Sequence, residues 1–173
     1  TIPHLVIMAP KDENELQHML RTALSYECPV AIRYPRGSGY GVTLDDELRI
    51  LEPGKAEIMR QGRDVAILAI GVTVYPALEA AERLKEEGID ACVANCRFVK
   101  PLDKHMVCDV ARAHKKIITV EENVIAGGFG SAVLEALSEG GVADVSVRRL
   151  GVNDVFVEHG SQGIIRKKYG LDA

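Results

Sequence analysis

The chain has no apolar run near the ~20 residues that a membrane-spanning helix needs, and no stretch reads as a signal peptide. It also lacks a charge of one sign. Its 21 basic and 25 acidic residues are interspersed and leave a net charge of −4. That excludes the basic footprint expected of a protein that binds nucleic acid or an anionic membrane surface. Cysteines and histidines at metal spacing are absent too. Cys92 and Cys96 fall in one expected strand, where four residues span roughly 13 Å at ~3.3 Å each, too far for a disulfide. Cys28 and Cys108 have no cysteine or histidine partner at ligand spacing, and His4, His18, His105, His114 and His159 are scattered. Four free thiols suit a reducing compartment, so the expected location is cytoplasmic. No initiator methionine precedes Thr1, and an apolar strand begins at Leu5, as expected of a chain cut within a domain.

What the chain does have is alternation of strand and helix. Leu5 to Met8 reads as a buried parallel strand, ended by Pro10. Asp12, with Glu15 three residues on, reads as a capping box. Leu16, Met19, Leu20, Ala23 and Leu24 recur at helical spacing. Pro29 to Tyr34 is the next strand, completing a βαβ piece. A glycine-rich and acidic connection, 37–54, reads as a linker. From Lys55 a second series begins with two strands, 55–59 and 65–70, expected to pair antiparallel at a sheet edge. Helices over 74–87, from an Asp103 cap, over 129–138 and over 161–169 alternate with strands over 90–96, 117–120 and 145–150. The fold class is therefore α/β: a doubly wound, mostly parallel sheet with one antiparallel edge strand, preceded by a βαβ piece of a second α/β domain.

Functional residues are sought where strands end, since ligands gather outside the carboxyl ends of strands in open α/β sheets. At the end of the strand from Pro29, Arg33 and Arg36 flank Tyr34-Pro35, just before glycines. A guanidinium there can grip a phosphate through two parallel charge-assisted hydrogen bonds. Pro35 stiffens the backbone that carries both arginines. The alternative is that they cap the sheet edge or pair with surface carboxylates.

Three other groups favour structural roles. Gly127-Gly128-Phe129-Gly130 follows a strand and opens a helix, a setting that can bind an anion. It lacks the dinucleotide-binding spacing, and a tight turn is the better reading. Glu121 and Glu122 are adjacent in extended chain and point to opposite sides. One is expected to satisfy backbone donors of the glycine turn, the other to sit at a domain or subunit contact. Arg97 and Lys100 precede Pro101 and Asp103, which read as helix-start chemistry.

The segments LVIMAPKDENEL (5–16), AIRYPRGSGYGV (31–42), RFVKPLD (97–103) and TVEENVIAGGFGSAVLEAL (119–137) occur in order over nearly the whole chain. Together they resemble the C-terminal part of the 1-deoxy-D-xylulose-5-phosphate synthases, a family of transketolase-like thiamine diphosphate enzymes. The resemblance implies that 1–36 is the end of the pyrimidine-binding domain, 37–54 an interdomain linker and 55–173 the transketolase C-terminal domain. It implies a homodimer that condenses pyruvate with glyceraldehyde 3-phosphate, releasing CO2, with thiamine diphosphate and Mg2+ as cofactors. The product is a precursor of isoprenoids, thiamine and pyridoxal. Arg33 is implied as a ligand of the aldehyde's phosphate, with Arg36 a second candidate that braces the loop. No GDG…N motif, activating glutamate or substrate-handling histidine of that family is found here. The chain alone is therefore expected to be inactive, with no catalytic residue and no bound cofactor or metal. Two alternatives stay open: an assembly domain of transketolase or of a 2-oxoacid dehydrogenase beta subunit, and a nucleotide-binding module built on the glycine turn.

Overall fold

The computed structural model describes residues 2–173. Its larger sheet has the order β3 (Glu57–Arg60), β5 (Ala91–Asn95), β4 (Val65–Ala69), β7 (Lys116–Val124), β8 (Ser146–Val152). All neighbours are parallel except β3, which runs antiparallel to β5. α3 (Lys104–His114) and α4 (Phe129–Glu139) cover one face, packing Val107, Ala111, Val133 and Leu137 on Leu68, Cys92, Ala94 and Ile117. α2 (Val74–Glu86) covers the other with Val74, Ala77 and Ala81 on Ile67, Ala69 and Val93; Tyr169 of α5 (Gln162–Tyr169) and Leu171 join that layer. This is the doubly wound α/β sheet with an antiparallel edge that the strand and helix alternation implies.

The edge strand, however, pairs with β5 and not with β4, its neighbour in sequence. β4 is buried at every position, so it belongs in the sheet's interior with a strand on each side. β3 carries Glu57 and Arg60 and tolerates an edge.

A second, three-stranded sheet has the order β2 (Val30–Ile32), β1 (Val6–Met8), β6 (Phe98–Lys100). β1 and β2 are parallel and joined by α1 (Glu13–Ala23), the expected βαβ piece. β1 has a strand on each side, because β6 pairs with its other edge antiparallel. Arg97, at φ 51°, turns the chain out of the large sheet and into the small one, and its carbonyl accepts from Ala9 N–H at 2.9 Å.

α1 also presents a different face from the one its leucines suggest. Leu20 and Leu24 are exposed, while Glu15, His18, Met19 and Thr22 are buried. The reason is the linker, which lies along the helix and donates backbone hydrogen bonds to its polar side chains. Asn14 Oδ1 accepts from Asp45 N–H at 2.8 Å, and Thr22 Oγ1 accepts from Leu51 N–H at 2.8 Å. His18 Nδ1 accepts from Arg49 N–H at 3.1 Å, which places its proton on Nε2, 2.9 Å from Asp45 Oδ2. Buried polar groups demand such partners, and here the partner is backbone that would otherwise hang free.

Candidate functional site

Arg33 sits where β2 ends. Its N–H donates to Met8 O at 2.8 Å, extending the parallel ladder by one bond. Its half-buried side chain reaches toward the carboxyl end of β4, with Nη2 3.6 Å from the position a Cβ on Gly71 would occupy. Among the described residues its guanidinium makes no hydrogen bond or ion pair. An arginine held at a strand end with open donors is available to an oxyanion.

Arg36 lies three residues on, after the chain has left the sheet. It lines a cleft of about 500 Å³ together with Lys11, Leu16, Tyr40, Gln162 and Arg166, whereas Arg33 does not. Arg36 also has no ion-pair partner among the described residues, and its carbonyl accepts from Gln162 Nε2 at 2.5 Å.

The loop between them and Val42 is held from both sides. Glu13, in the first turn of α1, accepts from the N–H groups of Tyr40 (3.0 Å), Gly41 and Val42 (3.0 Å). Its own backbone N–H does most to hold its carboxyl below the usual glutamate range; burial opposes this, and the N–H groups of Gly41, Tyr40 and Val42 add to the lowering. From the far side, Glu122 Oε1 pairs with Arg166 Nε at 2.6 Å, and Arg166 Nη2 donates to Gln162 Oε1 at 3.1 Å. Tyr40 packs on Tyr75 with ring centroids 4.4 Å apart, and Tyr75 Oη donates to Asp12 Oδ2 at 2.7 Å. Neither Glu13 nor Gln162 is visible as a site residue in the sequence. The only signal was glycine at 37 and 39.

Of the adjacent carboxylates, Glu121 takes the expected place on the glycine turn, whereas Glu122 pairs with Arg166 of α5. Glu121 is buried and accepts from Phe129 N–H at 2.7 Å and Gly130 N–H at 2.8 Å. Burial pushes its pKa up, while those two donors and the charges of Arg33 and Arg149 oppose the shift. The anion site at the start of α4 is therefore filled by the protein's own carboxylate. A Cβ on Gly128 would lie 2.2 Å from Glu121 Oε2, so a side chain there would displace it. This argues against a nucleotide-binding module on the glycine turn, because its free donors are already used.

Arg97 is also engaged: its Nε lies 2.7 Å from Glu15 Oε1 and its Nη2 pairs with Glu57. Lys100 Nζ donates to Ile2 O at 2.9 Å. Asp103 caps α3 through Met106 N–H at 3.0 Å. The structural reading of this segment holds. Among the described residues no three His, Cys, Asp or Glu side chains converge as a metal site requires.

Comparison with known proteins adds a name to this arrangement. The family model described as transketolase, C-terminal domain, matches residues 54–173. A 1-deoxy-D-xylulose-5-phosphate synthase of Heliobacterium modesticaldum is 60% identical over 99% of this chain and 26% of its own length. One from Geobacter metallireducens is 59% identical over 99% of this chain and 28% of its own. The chain thus spans about a quarter of the length of these relatives. Among solved structures, the inactive beta4 tetramer of a split gene transketolase superposes with a TM-score of 0.89 at 36% identity. It covers 99% of this chain, which spans 55% of that one.

Proposed function

The chain belongs to the transketolase C-terminal domain family, and on that basis we propose that it is the C-terminal part of a 1-deoxy-D-xylulose-5-phosphate synthase. The whole enzyme condenses pyruvate with glyceraldehyde 3-phosphate and loses CO2. The relatives' names at 51–60% identity favour this over a transketolase, whose split-gene representative is 36% identical. Residues 1–36 then end the pyrimidine-binding domain, 37–54 link, and 55–173 form the last domain.

The observation that carries the reading is Arg33, a guanidinium with no hydrogen bond or ion pair among the described residues, fixed at a strand end in the RYPRG motif. Its role is to hold the phosphate of the aldehyde substrate while the rest of the enzyme handles pyruvate. Arg36 serves the loop, through its carbonyl bond to Gln162. Thiamine diphosphate and Mg2+ belong to the whole enzyme, where the cofactor supplies the carbanion chemistry, and not to these 173 residues. The enzyme works as a cytoplasmic homodimer. Exposed Phe156 and Val157 suit a subunit contact.

In the whole enzyme, Arg33→Ala is expected to raise KM for glyceraldehyde 3-phosphate roughly ten- to a hundred-fold, since a hydrogen bond to a charged group is worth ~1.5–3 kcal/mol. KM for pyruvate should hold. Equal effects on both substrates would remove Arg33 from the phosphate. Calorimetric titration of this chain with Mg2+ and thiamine diphosphate is expected to show no saturable binding, and a micromolar site would contradict the assignment of the cofactor elsewhere.

A further inference from the structure

We infer that Glu13 and Gln162 are positioning residues that clamp the 33–42 loop, and so set where Arg33 and its ligand stand. The inference rests on the phosphate role proposed for Arg33. Arg33 is fixed in backbone by β1 through Met8 O, but the chain after it leaves the sheet. Four further hydrogen bonds hold that departing segment. Gln162, at the start of α5, donates to Arg36 O, and Glu13 collects three successive N–H groups at residues 40–42.

The loop's own glycines are matched to these clamps. A Cβ on Gly37 would lie 2.4 Å from Gln162 Nε2, and a Cβ on Gly39 would lie 2.7 Å from all three atoms of the Glu13 carboxylate group. Neither Gly37 nor Gly39 has a positive φ, so backbone conformation does not require glycine there. Close approach of the two clamping side chains does. One clamp comes from α1, beside the loop in sequence, and the other from α5 at the far end of the chain. Gln162 is in turn held by Arg166 and Glu122. The last helix thereby has a part in substrate binding although it carries no proposed ligand.

The test uses the whole enzyme with Arg33→Ala, Glu13→Gln, Gln162→Ala and Gly39→Ala, read by steady-state kinetics on both substrates and by amide exchange at residues 40–42. The three clamp variants are expected to raise KM for glyceraldehyde 3-phosphate about five-fold, to leave KM for pyruvate in place and to speed exchange at Tyr40–Val42 in the Glu13 and Gly39 variants. Glu13→Ala, added to the set, should lose more than Glu13→Gln, which keeps one acceptor oxygen. Faster exchange with an unchanged aldehyde KM would overturn the clamp, as would no change in either readout. If Arg33→Ala itself leaves that KM unmoved, the phosphate reading fails and takes the inference with it. A rise in Arg33→Ala alone sinks only the clamp.

Discussion

Glu15 and Arg97, 82 positions apart, meet through a 2.7 Å contact between Oε1 and Nε that fastens the three-stranded sheet to the five-stranded one. Glu15 is buried, and the same oxygen also accepts from Asn95 Nδ2 at 2.8 Å, while Oε2 accepts from Lys11 N–H at 2.8 Å. The carboxylate is thus satisfied by three residues at once, which is what a buried charge requires.

Arg97→Ala is therefore expected to destabilise the chain by about 3 kcal/mol, near the lower limit for breaking a buried pair, since Asn95 and Lys11 keep part of the hold. Glu15→Ala with Arg97→Ala should cost less than the sum of the singles. Urea unfolding of the four proteins measures both, and strict additivity would mean that the contact carries no coupling.

Glu121→Ala strips two buried N–H groups of their acceptor, at about 1–3 kcal/mol for each group left unpaired. A loss of about 3 kcal/mol is expected, and Glu121→Gln, which keeps one acceptor oxygen, should lose less than half of it. The same unfolding measurement decides, and a neutral alanine would show that the α4 terminus does not need Glu121.

Thr22→Val keeps the shape of the side chain and removes the oxygen that accepts from Leu51 N–H. The expected cost is about 1 kcal/mol, with faster amide exchange at Leu51 and unchanged exchange in β4. Uniform acceleration across both would mean that the linker is not held locally by α1.

The clamp at Glu13 has a pH dependence whose sign follows from its lowered pKa. A carboxyl group depressed on folding contributes stability that is present above its unfolded value and lost as pH falls through the folded one. The ordinary value is 4.5, so amide shifts of Tyr40, Gly41 and Val42 should stay constant from neutral pH to below it. They should then move together, and Glu13→Gln should abolish that step. A midpoint above 4.5 would contradict the arrangement.

Much of the fold was legible in local pattern. The caps at Asp12 and Asp103, the βαβ piece and the alternation after Lys55 depend on spacing and turn chemistry within a few residues, and they stand in the structure. The split of Glu121 from Glu122 followed from the alternation of side chains along a strand. The motif around Arg33 was readable for the same reason, since strand, proline and glycines are adjacent.

What tertiary structure alone decided concerns partners distant in sequence. β3 passes its neighbour β4 to pair with β5, because β4 is apolar on both faces and needs a strand on each edge. β6 leaves the large sheet to cover β1, and the αL turn at Arg97 that allows it has no glycine to announce it. The leucines of α1 suggested a buried face that the linker's backbone overrode, since unpaired N–H groups found acceptors on Asn14, His18 and Thr22. Arg33 and Arg36 look like one site in sequence, yet only Arg36 lines the cleft with Gln162 and Arg166, while Arg33 reaches toward Gly71. Residue types and their spacing determined which elements form and which residues carry charge. Which element lies beside which, and so whether a guanidinium ends paired or open, was settled by the long-range satisfaction of buried polar and apolar surface.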